Sequence, residues 1–310
     1  MLGPYRKIKE RTIAGTSTRP GRGPMDQSLL EAQLYCQELT KKTSKSFYYT
    51  FLFLPAEKRR AIYALYAFCR YSDEISDDQG APEERLGRLE EWHLELERAY
   101  EGRPSHPITR ALSPEVERFH LPKSYFEELL AGVAMDFTRT RYSTFDDLYQ
   151  YCYRVASIVG LLCIEVFGYQ DPKVRQYAEN LGIGFQLTNI LRDLKEDSLR
   201  GRIYLPLEDL ERFSYSEKDL LAHRYTPSFR QLMEFQYQRA KDFYQRARSF
   251  LPREERRTLA VSETMRALYS KILEEIARRK FNVFDGPVDF PVPRKLFMAA
   301  RIWLGVQLAG

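Results

Sequence analysis

The chain has 310 residues, a formal net charge of +5, 44% apolar and 29% charged side chains, 21 tyrosines and 19 phenylalanines. This composition allows a sizeable globular core. The mild charge, with no basic stripe and no base-reading motif, argues against a nucleic-acid partner. Cys36, Cys69, Cys152 and Cys163 have no C-x-x-C spacing, and no histidines stand at ligand spacing. They read as reduced core residues of a cytoplasmic protein, not as disulfides or a zinc site.

Residues 1–25 are basic and rich in Gly and Pro, without an apolar stretch of the signal-peptide kind. They read as a disordered N-terminal extension ahead of one domain over 26–310. From Met25, "MDQSLLEAQLYCQELT" has helical period. "PAEKRRAIYALYAFCRYSDEISDD" enters a helix at Pro55. "EERLGRLEEWHLELERAY" places Leu86, Leu89 and Trp92 at helical spacing. Five more helical patterns follow: "SYFEELLAGVAMDFTRTRY", "FDDLYQYCYRVASIVGLLCIEVFG", "VRQYAENLGIGFQLTNILRDLKED", "FRQLMEFQYQRAKDFYQRARSFL" and "TLAVSETMRALYSKILEEIARRKF". Breaks fall at 80–82, 102–107, 168–172, "RGRIYLPLED" and "DGPVDFPVP". Strand alternation is nearly absent, so the expected fold is one all-α domain of about ten helices. The final "KLFMAARIWLGVQLAG" is shorter than the roughly 20 apolar residues of a membrane span and is interrupted by Arg301. It reads as a core helix. The alternative is a surface-lying amphipathic helix with peripheral membrane contact.

Two acidic helices stand out. In the first, Tyr66, Arg70, Asp73 and Asp77 fall at i, i+4, i+7 and i+11, one helical stripe on a face expected to be buried. Three readings stay open for it: a solvated helix end, an internal salt bridge through Arg70, or a metal–diphosphate site. In the second, Gln186, Asn189, Asp193 and Asp197 form another stripe, one to two turns after Gly182 and Gly184. Glycine in a helix costs about 1 kcal/mol relative to alanine, so something approaches that backbone closely, either another helix or a bound chain. Two acidic pairs on apolar helices point further than one does. Carboxylates facing each other at low dielectric repel unless cations separate them. Mg²⁺, an oxygen-seeking ion that binds through carboxylates and substrate phosphates, fits between them. The pair therefore predicts a Mg²⁺-bridged diphosphate above an apolar cavity that takes an apolar tail.

The motifs "SKSF" (44–47), "YAFCRYSDEISDD" (66–78), "YCYRVASIVGLL" (151–162), "LGIGFQLTNILRDLKEDSLRGRIYLP" (181–206) and "YSKILEEIARRKFNVF" (269–284) resemble those of the squalene/phytoene synthases, the head-to-head prenyl transferases. The resemblance covers roughly residues 28–300. It implies a single-domain isoprenoid-synthase bundle around a central cavity, acting on prenyl diphosphates with Mg²⁺, or Mn²⁺ in its place. By motif, Asp73 and Asp77 match the first metal-binding pair and Asp193 and Asp197 the second, with Asn189 a further metal ligand. Arg70 and Arg192 match diphosphate partners, for which the planar, always charged guanidinium is suited. Ser44, Lys45 and Ser46 match a phosphate-contacting segment, and Tyr66 and Tyr269 further diphosphate contacts. Gln186 matches a polar residue near the reacting carbons and Tyr151 a catalytic tyrosine near the developing cation. Phe47, Phe51, Val155 and Ile158 are expected to line the apolar tunnel, with plain core the alternative for the first three. Arg202 and Tyr204 are expected in a flap or a loop cap. The chain departs from the family's pattern at Arg154, where eukaryotic squalene synthases carry a tyrosine. It departs also in "VAS" for "VAG", and in "FDGPVDF", where relatives often carry an arginine.

The wording of the motifs is nearest to bacterial presqualene diphosphate synthases of the hopanoid route, which join two farnesyl diphosphates. Phytoene synthase, joining two geranylgeranyl diphosphates into a carotenoid precursor, is the alternative. No Gly-rich fingerprint supports NADPH and a reductive second step. A non-catalytic assembly factor of the same fold is the rival of another class, and the four intact aspartates count against it.

Overall fold

The apolar period sets the secondary structure. The computed structural model describes residues 24–78 and 80–309, and among these it has fifteen α-helices and no strand. The first six are α1 (Pro24–Thr43), α2 (Lys45–Phe51), α3 (Ala56–Asp77), α4 (Pro82–Tyr100), α5 (Pro107–Arg118) and α6 (Lys123–Thr138). Next come α7 (Phe145–Cys152), a π-helical turn over Tyr153–Ser157, α8 (Ile158–Phe167), α9 (Lys173–Arg192) and α10 (Leu194–Leu199). The chain ends with α11 (Leu207–Arg212), α12 (Glu217–Leu221), α13 (Pro227–Ser249), α14 (Ala260–Arg278) and α15 (Val292–Ala309). The extension expected over 1–25 lies, up to Gly23, outside the described residues, and Pro24 and Met25 already belong to α1.

There are more helices than the roughly ten expected, because some prolines that read as breaks are starts. Pro107 opens α5, where its missing N–H costs nothing, and His106 Nδ1 accepts from Ile108 N at 3.2 Å. The continuous helix expected through "NILRDLKED" breaks at Asp193, which ends α9 with φ −100° and ψ 13°.

α9 is the central helix. It packs against α13, α14, α8 and the π turn. α3 packs against α1, α5 and α6, and α6 in turn touches α8 and the π turn, joining the two halves. Residues 145–167 are long and apolar enough to cross a membrane by length and composition. Leu148, Tyr151, Cys152, Ile158 and Leu162 are nonetheless buried in the protein's own core, as in a core helix. α15 docks one face on α2 and α14, with Trp303 stacked on Phe53 at 4.9 Å, and leaves Phe297, Leu304 and Leu308 exposed. The core-helix expectation therefore describes only its inner face.

The two glycines of α9 face other helices, not a bound chain. A Cβ on Gly182 would lie 2.5 Å from Ser157 Cα and 2.6 Å from its nitrogen. A Cβ on Gly184 would lie 2.7 Å from the Tyr244 ring. Ser157 Oγ also donates to Glu179 O at 2.7 Å, so the serine of "VAS" ties the π turn to α9. Backbone cannot swing aside as a side chain can. Gly182→Ala is therefore expected to cost about 1–3 kcal/mol, read as a lowered denaturation midpoint. An unchanged midpoint would show that the two helices can part without cost.

Candidate active site

α3 brings Asp73 and Asp77 to one face, as the i, i+4 spacing requires. That face is not buried as expected: both aspartates are open to solvent. Asp73 nevertheless sits in a recess whose neighbouring protein partly desolvates it. Burial, with Asp77, Asp136 and Glu74 nearby, pushes its carboxyl up to about 7 against the pull of Arg70. Arg70 itself donates through Nε to Glu74 at 3.2 Å. Of the readings open for this stripe, the internal salt bridge through Arg70 thus goes to Glu74, not to the aspartates.

Asp193 and Asp197 remain one helical step apart despite the break between α9 and α10, because Asp197 N donates to Asp193 O at 2.9 Å. Burial and the neighbouring Asp193 push Asp197 up to about 7, with Asp136 adding to the effect and Arg200 and Arg202 opposing it. Arg192 clasps its own neighbour, donating through Nε to Asp193 Oδ1 at 2.7 Å and through Nη2 to Oδ2 at 2.5 Å.

The "RGRIYLP" segment reaches back to the first pair. Arg202 Nη1 donates to Asp77 Oδ1 at 2.9 Å, Arg200 Nη1 to Asp77 Oδ2 at 3.2 Å, and Arg202 Nη2 to Ser76 O at 3.2 Å. The segment is pinned from behind by Ile203 N donating to Thr140 O and Leu207 N to Tyr142 O. Arg202 thus ties this segment to the end of the first motif, while Tyr204 Oη donates to Asp136.

One residue at the centre was absent from the sequence reading. Asp136, near the end of α6, accepts from Tyr204 Oη on Oδ1 at 2.9 Å and from Tyr151 Oη on Oδ2 at 3.1 Å. Its charge acts on Asp73, on Asp197 and on Tyr142, and burial raises its own pKa. The charge of Asp136 thus acts on both motifs. The available signal was slight: one acid in the otherwise apolar run "AGVAMDF".

A cavity of about 360 Å³ opens beside the second motif. Thr43, Ser44, Tyr66, Arg192, Asp193, Glu196 and Tyr269, with Asp289 and Lys295, form its polar part, and Met265, Leu268, Ile272, Val288 and Phe290 its apolar wall. Ser44, Tyr66, Arg192 and Tyr269, expected from scattered motifs, thus meet at one place. Tyr66 Oη lies 3.2 Å from Thr43 Oγ1, and Tyr269 packs its ring against Phe185 at 4.4 Å. The apolar wall comes from α14 and the "DGPVDFP" segment, which were not singled out for it. Phe51 and Ile158 are buried in the core, and Val155 is half-buried where a Cβ on Gly132 would meet it. The side chains of Lys45, Ser46 and Phe47 lie outside the described set. Arg154 points away, donating to Glu128 at 3.0 Å.

The donor set fits a hard divalent cation. Asn189 Oδ1 is buried with no hydrogen-bond partner, while its Nδ2 donates to Gln186 Oε1 at 3.3 Å. An unpaired buried oxygen among like-charged carboxylates is what oxygen-ligated Mg²⁺ would satisfy. His93, Glu97 and Glu127 also stand within ligating reach of one another, but Lys123 already pairs with both glutamates there.

The squalene/phytoene synthase family model matches residues 40–295. The chain belongs to the squalene/phytoene synthase family. As a member it is an all-α prenyltransferase of the head-to-head type. Phytoene synthase of Arthrospira platensis is 39% identical over 274 residues, covering 84% of this chain and 89% of the relative. 15-cis-Phytoene synthase of Synechocystis sp. is 39% identical over 293 residues, covering 91% and 87%. The crystal structure of a dehydrosqualene synthase in complex with ligand superposes with a TM-score of 0.81 at 30% identity, covering 92% of this chain and 99% of the other. Squalene synthase HpnC from Alicyclobacillus acidocaldarius superposes with a TM-score of 0.74 at 30% identity, covering 82% and 96%.

Proposed function

We propose that the chain joins two geranylgeranyl diphosphates head to head into a C40 product, as a phytoene synthase. The observation that carries this reading is the 39% identity to cyanobacterial phytoene synthases over most of both chains. The farnesyl-based reading that the motif wording favoured yields to it, the squalene synthase structure being 30% identical against 39% for the phytoene synthases.

Ser44, Tyr66, Arg192 and Tyr269, with Arg70 beside the first motif, receive the diphosphates, the guanidiniums matching phosphate oxygens in charge and shape. The prenyl chain lies along Met265, Leu268, Ile272, Val288 and Phe290, away from water that would quench an allylic cation. Asp73, Asp77, Asp193, Asp197 and Asn189 hold the divalent cation. When bound, Mg²⁺ supplies charge stabilisation to the departing diphosphate. Arg202 and Tyr204 close the site from the flap. Tyr151 presents its phenol oxygen toward the developing cation, and Gln186 orients the reacting alkene. The reading requires no NADPH.

Purified protein with Mg²⁺ and either geranylgeranyl or farnesyl diphosphate, without NADPH, should give a C40 product from the first, read by mass spectrometry. A C30 cyclopropyl diphosphate from farnesyl diphosphate alone would restore the presqualene reading.

A further inference from the structure

We infer that Asp136 receives the proton released when the cyclopropane ring closes, acting through Tyr151; the inference rests on the synthase reading above. Three observations carry it. Both carboxylate oxygens of Asp136 are taken by phenol donors, Tyr204 at 2.9 Å and Tyr151 at 3.1 Å. The two phenols are held in place by stacking at 5.2 Å, with Tyr142 packed against both at 5.5 and 5.9 Å. The charge of Asp136 acts on Asp73 on one helix and on Asp197 on the other, so this cluster lies near both acidic motifs.

The direction of the hydrogen bond matters. Tyr151 spends its proton on Asp136, which leaves its oxygen lone pairs free for a cation or a proton from the substrate side. Tyr151 is deeply buried and burial pushes its phenol well above the usual range, so a free phenolate is not the base. A relay avoids that state. The C1–O bond breaks, and its electron pair leaves with diphosphate. The alkene of the second molecule attacks C1, leaving a cation at its C3. The C1–H bond then breaks, and its electron pair closes the C1–C3 bond. The proton goes to the Tyr151 oxygen while the phenol's own proton passes to the Asp136 carboxylate. Asp136 later loses it to water as the product leaves. Asp136 is thus a positioning residue and proton acceptor that does not touch the substrate.

Asp136→Asn keeps the shape and one acceptor but cannot take a proton. With geranylgeranyl diphosphate and Mg²⁺, this variant should make cyclopropyl product about 100-fold more slowly, while diphosphate release falls by less than about tenfold. Prenyl alcohol from water capture should replace the missing product. With substrate deuterated at C1, the isotope effect on ring closure should rise above the wild-type value, which a merely structural defect would not produce. Tyr151→Phe should show the same split, and the double variant should be no worse than either single one. Melting each variant verifies folding. If Asp136→Asn does not fold, Asp136→Glu, which keeps the acid one methylene further out, should show slowed ring closure with a raised isotope effect. Equal loss of diphosphate release and ring closure overturns the inference. So does unchanged ring closure, which would make released diphosphate the base. A wild-type chain that turns over no prenyl diphosphate overturns the synthase reading itself and this inference with it.

Discussion

Asp73→Asn is expected to slow prenyl diphosphate turnover by about 10³-fold and yet to raise the melting temperature of the metal-free protein by roughly 1–3 °C. Turnover falls because an amide is a weaker ligand and carries no charge for the cation. Stability rises because burial, with Asp77, Asp136 and Glu74 nearby, disfavours a charge on Asp73 against the pull of Arg70. Removing one charge from such a group relieves the folded state more than the unfolded one. Saturating Mg²⁺ should reverse the order, stabilising the wild type above the variant. Steady-state turnover and melting with and without Mg²⁺ check both halves. A variant that melts several degrees below the wild type without metal would assign Asp73 a structural role. The same pair of measurements on Asp193→Asn separates a synthase from an assembly factor, whose fold and binding would not need the charge.

Glu95→Ala should cost about 3–5 kcal/mol of folding stability, the range for removing one partner of a buried charged network. Glu95 is buried on α4 and gathers the entrance to α5. Its Oε1 accepts from Ser105 N at 2.6 Å, His106 N at 2.7 Å and Thr109 Oγ1 at 2.6 Å. Its Oε2 accepts from Ser105 Oγ at 2.7 Å and Arg98 Nη1 at 3.0 Å. Although burial opposes ionisation, these donors together hold the carboxyl down at about 2, against an ordinary value of 4.5. In the acid range the unfolded chain therefore takes up this proton before the folded one does. The stabilisation is fully present above pH 4.5 and is lost as pH falls toward about 2. Glu95→Gln should flatten that part of the stability–pH curve as measured by denaturant titration. An unchanged slope would mean that other carboxylates govern acid unfolding.

The long helices were legible because apolar residues recur at helical period through α3, α9, α13 and α14. The acidic stripes were legible because four-residue spacing survives even the break at Asp193. What stayed hidden depended on residues distant in the chain. Asp136 meets Tyr151 and Tyr204 only after α6 folds against the π turn, and one aspartate in an apolar run carries no spacing signal. Glu95 sits in "EEWHLELER", where nothing in the pattern separates it from its exposed neighbours. α5 was missed because Pro107 closes a stretch that reads as a break, although proline at the first helical position is well tolerated. The stripe bearing Asp73 was expected to be buried because apolar residues flank it. It lines a recess instead, an environment that periodicity alone does not distinguish from core.

The contact of Gly182 with Ser157 works as a fixed spacer. Tyr151 lies six residues before Ser157, and Gln186 and Asn189 lie one and two turns past Gly182. Backbone-to-backbone contact therefore sets how far the phenol cluster stands from the second acidic motif, with no side chain between them to compress or slacken. Catalytic groups carried on loops can drift apart while the core still holds. Here the two groups can separate only if α9 and the π turn do. Loss of activity on heating should accordingly coincide with loss of the fold.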